Sequence, residues 1–242
     1  MNILFPPMNL FTQNGRTVRH LPAAAPDAPL LLTFLDRSDA EDFAAQLHHR
    51  FAAGAPFSDG LPAHFFIIEE PDWGLSFTPY PAPAAFKGAP AFGGGAAEYA
   101  AQLFAWLPEW ENRFALAPRF RALAGYSLGG LFTVSAAYHA ASPFTHYACV
   151  SGSLWYDGWL EKMQQTTLPK LPEAAYFSLG DREKISKNPR LAAVENNTLA
   201  VVELWRQAGA AVQFEFNPGG HFQAVAERMV RAAAALLNAK AV

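Results

Sequence analysis

"LAGYSLGGLF", residues 123–132, decides the fold of this chain. A short apolar run leads into it, and "LFTVSAAYHA" (131–140) follows with the composition of a buried helix. The pattern predicts a buried strand that turns sharply into a helix, with Ser127 at the turn. Such a turn crowds the positions two before and two after the serine, and Gly125 and Gly129 stand there. A serine projected this way faces the unpaired amides and the partial positive charge of the helix start. The spacing therefore predicts Ser127 as a nucleophile, with the Leu128 amide as one oxyanion donor.

Outward from this turn, short apolar runs alternate with helical patterns. "PLLLTFL" (29–35), "AHFFIIEE" (63–70), "RFRALAG" (119–125), "THYACVSGS" (145–153), "AAYFSLG" (174–180) and "AVQFEFNP" (211–218) read as strands. Helices are expected over 39–54, capped by Ser38 or Asp39 and followed by Gly54, and over 98–114 in two pieces broken at Pro108. Two more are expected over 190–209, with Leu191, Val194, Thr198, Val201, Trp205 and Ala208 on one face, and over 223–239. Asn14-Gly15 inside "LFTQNGRTVRHL" predicts a tight hairpin at the sheet edge. Together these imply an α/β fold over residues 1–242 as a single domain. Its central sheet is mostly parallel with helices on both faces and an N-terminal antiparallel edge ribbon.

Composition narrows the function. The 242 residues carry a net charge of -3, with no basic face for nucleic acid and no polybasic membrane anchor. The one cysteine, Cys149, excludes an internal disulfide and reads as a small core residue. No metal-ligand spacing and no cofactor motif stands out, and "FGGGAA" (92–97) lacks the Lys-Ser/Thr of a phosphate loop. The opening "MNILFPPMNLFTQNGR" has no cationic start, and Pro6 and Pro7 interrupt its apolar stretch, so a cytoplasmic location is expected.

A serine nucleophile needs a base and an acid. His221, in "NPGGHFQ" between a strand and the last helix, lies where a glycine loop can carry an imidazole over the carboxyl edge of the sheet. The other six histidines end helices or flank strands. For the acid, "YFSLGDRE" (176–183) offers Glu183, the preferred residue, and Asp181. The stretch 70–95 is rich in proline and glycine yet carries Trp73, Phe77, Tyr80 and Phe86, and reads as an ordered pocket wall. Tyr80, Trp155 and Tyr156 are expected to line the pocket and Arg37 to attract substrate.

From about residue 30 onward the chain resembles the esterase branch of the α/β-hydrolases that includes esterase D-type enzymes and siderophore trilactone esterases. The segments that carry the resemblance are "LLLTFLD", "LSFTPYP", "FGGGAAEY", "LAGYSLGGLF", "VSGSLWYD", "SLGDRE" and "PGGHF". It implies Ser127 as nucleophile, His221 as base and Glu183 as the acid that orients it. It also implies a second oxyanion amide after the strand ending "LLTFLD". There Arg37 replaces the glycine usual in relatives, and Ser38 is the candidate. No large cap domain is expected, since the stretch between Ser151 and Leu179 is too short to hold one. The expected function is serine-dependent hydrolysis of a small carboxylic ester, such as an aryl or siderophore ester, without cofactor. The alternatives are an acyltransferase or peptidase on the same scaffold, or a non-catalytic binding protein.

Overall fold

The computed structural model describes residues 8–52 and 60–239; Gly54 and the first seven residues lie outside this range. Eight strands form one sheet in the order β1-β2-β4-β3-β5-β6-β7-β8. They are β1 (Asn9–Gln13), β2 (Arg16–Leu21), β3 (Leu30–Phe34), β4 (His64–Glu69), β5 (Arg121–Tyr126), β6 (His146–Val150), β7 (Ala174–Gly180) and β8 (Val212–Asn217). β1 and β2 pair antiparallel, as do β2 and β4, and every pairing from β4 to β8 is parallel. Asn14 and Gly15 both take positive φ, 48° and 79°, as the tight hairpin between β1 and β2 requires.

The strands are apolar on both faces because both faces are covered. On one side Leu32, Phe34, Phe66 and Leu123 pack with residues of α3 (Ala96–Phe114), α4 (Leu128–Ala137) and α7 (Val194–Gln207). On the other, Leu31, Phe65, Ala124 and Tyr176 meet α1 (Arg37–Ala52) and α8 (Val225–Leu237). This order brings the carboxyl ends of β5, β7 and β8 to one edge of the sheet. The imidazoles of His20 and His64 are buried behind the edge ribbon, where burial lowers His20 to about 4 and His64 in the same direction.

Three expectations need correction. α3 runs unbroken through Pro108. The proline faces solvent while Leu103, Trp106, Leu107 and Trp110 anchor the opposite side of the helix. α1 starts at Arg37, because the Asp36 carboxylate accepts the Asp39 amide at 2.9 Å and so caps the helix ahead of Ser38. The helix expected over 190–209 is a short turn, α6 (Pro189–Ala192), followed by α7, and Leu191 leaves the buried face.

The proline-rich segment is ordered by long-range ties. It contains one turn of helix, α2 (Trp73–Ser76), and a bridge between Ala82 and Phe92. Arg190 donates to the carbonyls of Pro83 and Ala84, at 2.9 and 3.0 Å, and Asn188 donates to that of Ala85 at 2.8 Å. The Arg190 guanidinium also lies 5.3 Å from the Trp155 ring centroid. Between β6 and β7 the described helix is only α5 (Trp159–Gln164).

Candidate active site

Ser127 stands between β5 and α4 with φ 55° and ψ −122°, a strained conformation for a residue with a side chain. Its amide donates to the Val150 carbonyl, and its carbonyl accepts the amides of Gly130, Leu131 and Ser153. These bonds hold the strain in place. A methyl group on Gly125 would stand 2.0 Å from the Gly129 carbonyl oxygen, so glycine is obligatory there. Gly129 is different, since its methyl would meet Phe34 and Trp73 at ordinary contact distances of 3.6 and 3.7 Å. Gly130 is the second crowded position, 2.8 Å from the Gly152 backbone.

The structure brings Ser127, His221 and Glu183 together. Ser127 Oγ lies 3.0 Å from His221 Nε2, and His221 Nδ1 lies 2.7 Å from Glu183 Oε2. A carboxylate accepts the Nδ1 proton, which leaves Nε2 free to accept from the serine hydroxyl. Asp181 serves the loop instead, where its carboxylate accepts the Gly219 amide at 2.8 Å and steadies the segment that carries the histidine.

Two residues without an expected role complete the arrangement. Arg228, on α8, has only 2% of its side chain exposed. Its Nη1 donates to Glu183 Oε1 at 3.1 Å and to Ser151 Oγ at 3.0 Å. Its Nη2 donates to the carbonyls of Pro218 and Gly220, both at 3.0 Å. Tyr126 donates its hydroxyl proton to the His221 carbonyl. Burial would raise the Glu183 carboxyl, but hydrogen bonds from His221, Ser151 and the Gly180 amide bring it below its ordinary value. Glu183 is thus held as a carboxylate beside the imidazole.

A cleft of about 750 Å³ opens over Ser127, in the size range of small-molecule sites. Leu128, the first residue of α4, and Trp155 line it, as do Arg182, Phe86, Phe92 and Phe222. Four expected site residues do not. Ser38 lies in the first turn of α1 with its hydroxyl on Asp36, because the helix starts two residues earlier than expected. Arg37 has 73% of its side chain exposed and faces Glu69. Tyr156 is buried and donates to the Tyr80 carbonyl, while the Tyr80 hydroxyl donates to that of Asp157, so both stand behind the wall. A larger groove near the amino ends of β7 and β8 is lined by Glu173, Glu215 and Arg231 and contains none of the three central residues.

Comparison with known proteins gives the family. Residues 64–224 match the Esterase family, described as "Putative esterase". The chain belongs to this esterase family. The sheet order and strand directions are those of the α/β-hydrolase fold. A curated relative, "Uncharacterized protein YbbA" of Bacillus subtilis (strain 168), is 30% identical over 127 residues. That match spans about half of each protein, 51% of this chain and 51% of the relative.

Among solved structures, siderophore hydrolase EstA from Aspergillus nidulans superposes with a TM-score of 0.75 at 18% identity, covering 96% of this chain and 94% of that one. An IroE-like serine hydrolase from Shewanella oneidensis gives 0.71 at 16% identity, over 92% of this chain and 74% of that one. The enterobactin esterase FES from Shigella flexneri, with enterobactin, gives 0.68 at 17% identity, over 96% of this chain but 58% of that chain. At such identities the likeness is one of fold.

Proposed function

We propose that the protein hydrolyses carboxylic esters through Ser127, His221 and Glu183, by way of an acyl-enzyme. His221 Nε2 takes the Ser127 proton as the hydroxyl oxygen attacks the ester carbonyl. The Leu128 amide donates to the oxyanion as it forms, and Glu183 stabilises the imidazolium. His221 then gives its proton to the departing alkoxide, which leaves as the alcohol. Water enters, gives a proton to His221 and attacks the acyl carbonyl. Collapse of that second intermediate returns the proton to Ser127 and releases the carboxylic acid.

The observation that carries this reading is the continuous relay from Ser127 Oγ to His221 Nε2, at 3.0 Å, and from His221 Nδ1 to Glu183, at 2.7 Å. His221 keeps 25% of its side chain exposed, so water reaches the acyl-enzyme and favours hydrolysis over transfer to another acceptor. Solved neighbours that act on siderophores bring siderophore and aryl esters within the candidate substrates.

The decisive test is Ser127→Ala against a panel of p-nitrophenyl esters, with a fluorophosphonate probe on the parent protein. A probe adduct on Ser127 is expected, with a loss of at least about 10⁴-fold in kcat for the variant. Turnover near the parent level in Ser127→Ala would overturn the proposal.

A further inference from the structure

Among the described residues nine large apolar side chains are exposed, and four of them, Leu75, Phe86, Ile185 and Phe222, line the cleft over Ser127. They come from three parts of the chain: the proline-rich segment, which gives Leu75 and Phe86, and the loops after β7 and β8. Their convergence is not a consequence of one apolar stretch. Phe222 is 88% exposed and touches the His221 ring edge-on, with ring centroids 4.9 Å apart. Phe92 and Trp155, tilted to each other with ring centroids 6.1 Å apart, continue the apolar lining.

The charges in the cleft nearly cancel. Glu183 is engaged by His221 and Arg228, and Asp72 caps α2 through the Leu75 amide. Arg182 is the remaining cation in the lining, since Lys184 is turned away onto Glu195 at 2.9 Å. An acyl group that carries its own negative charge would lose hydration against aromatic rings with a single guanidinium to offset it. An apolar acyl group gains from the same surface. The acyl group also stays on the serine after the alcohol has left, so this surface holds it through both chemical steps.

Resting on the ester-hydrolase reading above, we propose that this cleft selects neutral esters with an apolar acyl part, a medium-length chain or one aromatic ring. Phe222 and Ile185 are the side chains that set this preference.

The test compares p-nitrophenyl acetate, butyrate, hexanoate, octanoate and benzoate with the p-nitrophenyl half-esters of succinic and adipic acids. Expected is a rise in kcat/KM of about two- to fourfold per methylene through hexanoate. The half-esters should fall at least about tenfold below neutral esters of like length. Phe222→Ala and Ile185→Ser should each lower the octanoate-to-acetate ratio several-fold, mainly through KM; both side chains are largely exposed, 88% and 75%, so folding is not at stake. Ile185→Lys should move preference toward the half-esters. Turnover at Ser127 with a flat chain-length dependence, or with the half-esters preferred, overturns this inference alone. Absence of both turnover and a fluorophosphonate adduct removes the hydrolase reading and this inference with it.

Discussion

The turn that carries Ser127 is held by backbone groups alone, from α4 and from the end of β6, whereas the loops that carry Glu183 and His221 are held by a side chain of α8. At the serine, backbone atoms of Gly130 and Leu131 bond its carbonyl, and the Gly129 carbonyl fills the space beside Gly125. At the acid and base, the guanidinium of Arg228 touches Glu183 and the carbonyls of Pro218 and Gly220. One half of the site is therefore shaped by local sterics and the other by a buried charge brought from a distance. The two halves should break differently: a change in the first alters geometry outright, and a change in the second loosens alignment and shifts titration.

The largest effect belongs to the local half. In Gly125→Ala the added methyl would sit 2.0 Å from a backbone oxygen, which no side-chain rearrangement relieves. Expected is a loss of about 3 kcal/mol in stability together with loss of ester turnover, read by thermal unfolding and by a p-nitrophenyl ester assay. A variant that melts and turns over like the parent would show that the crowding at the elbow is not real.

Arg228→Leu probes the distant half. It leaves the buried Glu183 without its cationic neighbour, and breaking a buried pair of this kind costs about 3–5 kcal/mol. Misalignment of His221 should lower kcat by up to about 10²-fold. The acid limb of the kcat/KM profile should move to higher pH, because removing the positive charge beside the Glu183 carboxylate favours its protonation. Unchanged pH dependence in a folded variant would reduce Arg228 to a packing element.

The same contrast explains what the sequence makes legible. The elbow and the parallel strands announce themselves locally, through glycine spacing and through apolar runs covered on both faces. His221 and Glu183 could be placed near the elbow because each follows a strand, His221 directly after Gly220 and Glu183 three residues past Gly180. Arg228 could not be read so easily, since an arginine on a helix is ordinarily solvated. Its one signal is position: it lies three residues after Val225 and four before Ala232, on the stripe that α8 buries. Pro108 misleads for the converse reason. A proline inside a helix costs about 3 kcal/mol, yet the contacts of Trp106, Leu107 and Trp110 hold α3 together around it. In the pocket wall the sequence points to Phe86 and Trp155, which face the cleft, and to Tyr80 and Tyr156, which bond each other behind the wall; Phe92 and Phe222 carry no such signal.

The smallest effect separates the motif from its physics. Gly125 and Gly129 flank Ser127 symmetrically, and sequence pattern alone gives them equal weight. Their surroundings do not, because a methyl on Gly129 would make only ordinary contacts with Phe34 and Trp73. Gly129 lies in α4, where alanine is favoured over glycine by about 1 kcal/mol. Gly129→Ala should therefore be neutral or slightly stabilising in thermal unfolding, with kcat/KM within about threefold of the parent. A tenfold or greater loss of turnover would mean that Phe34 and Trp73 cannot accept the contact, and that the second glycine constrains the elbow as firmly as the first.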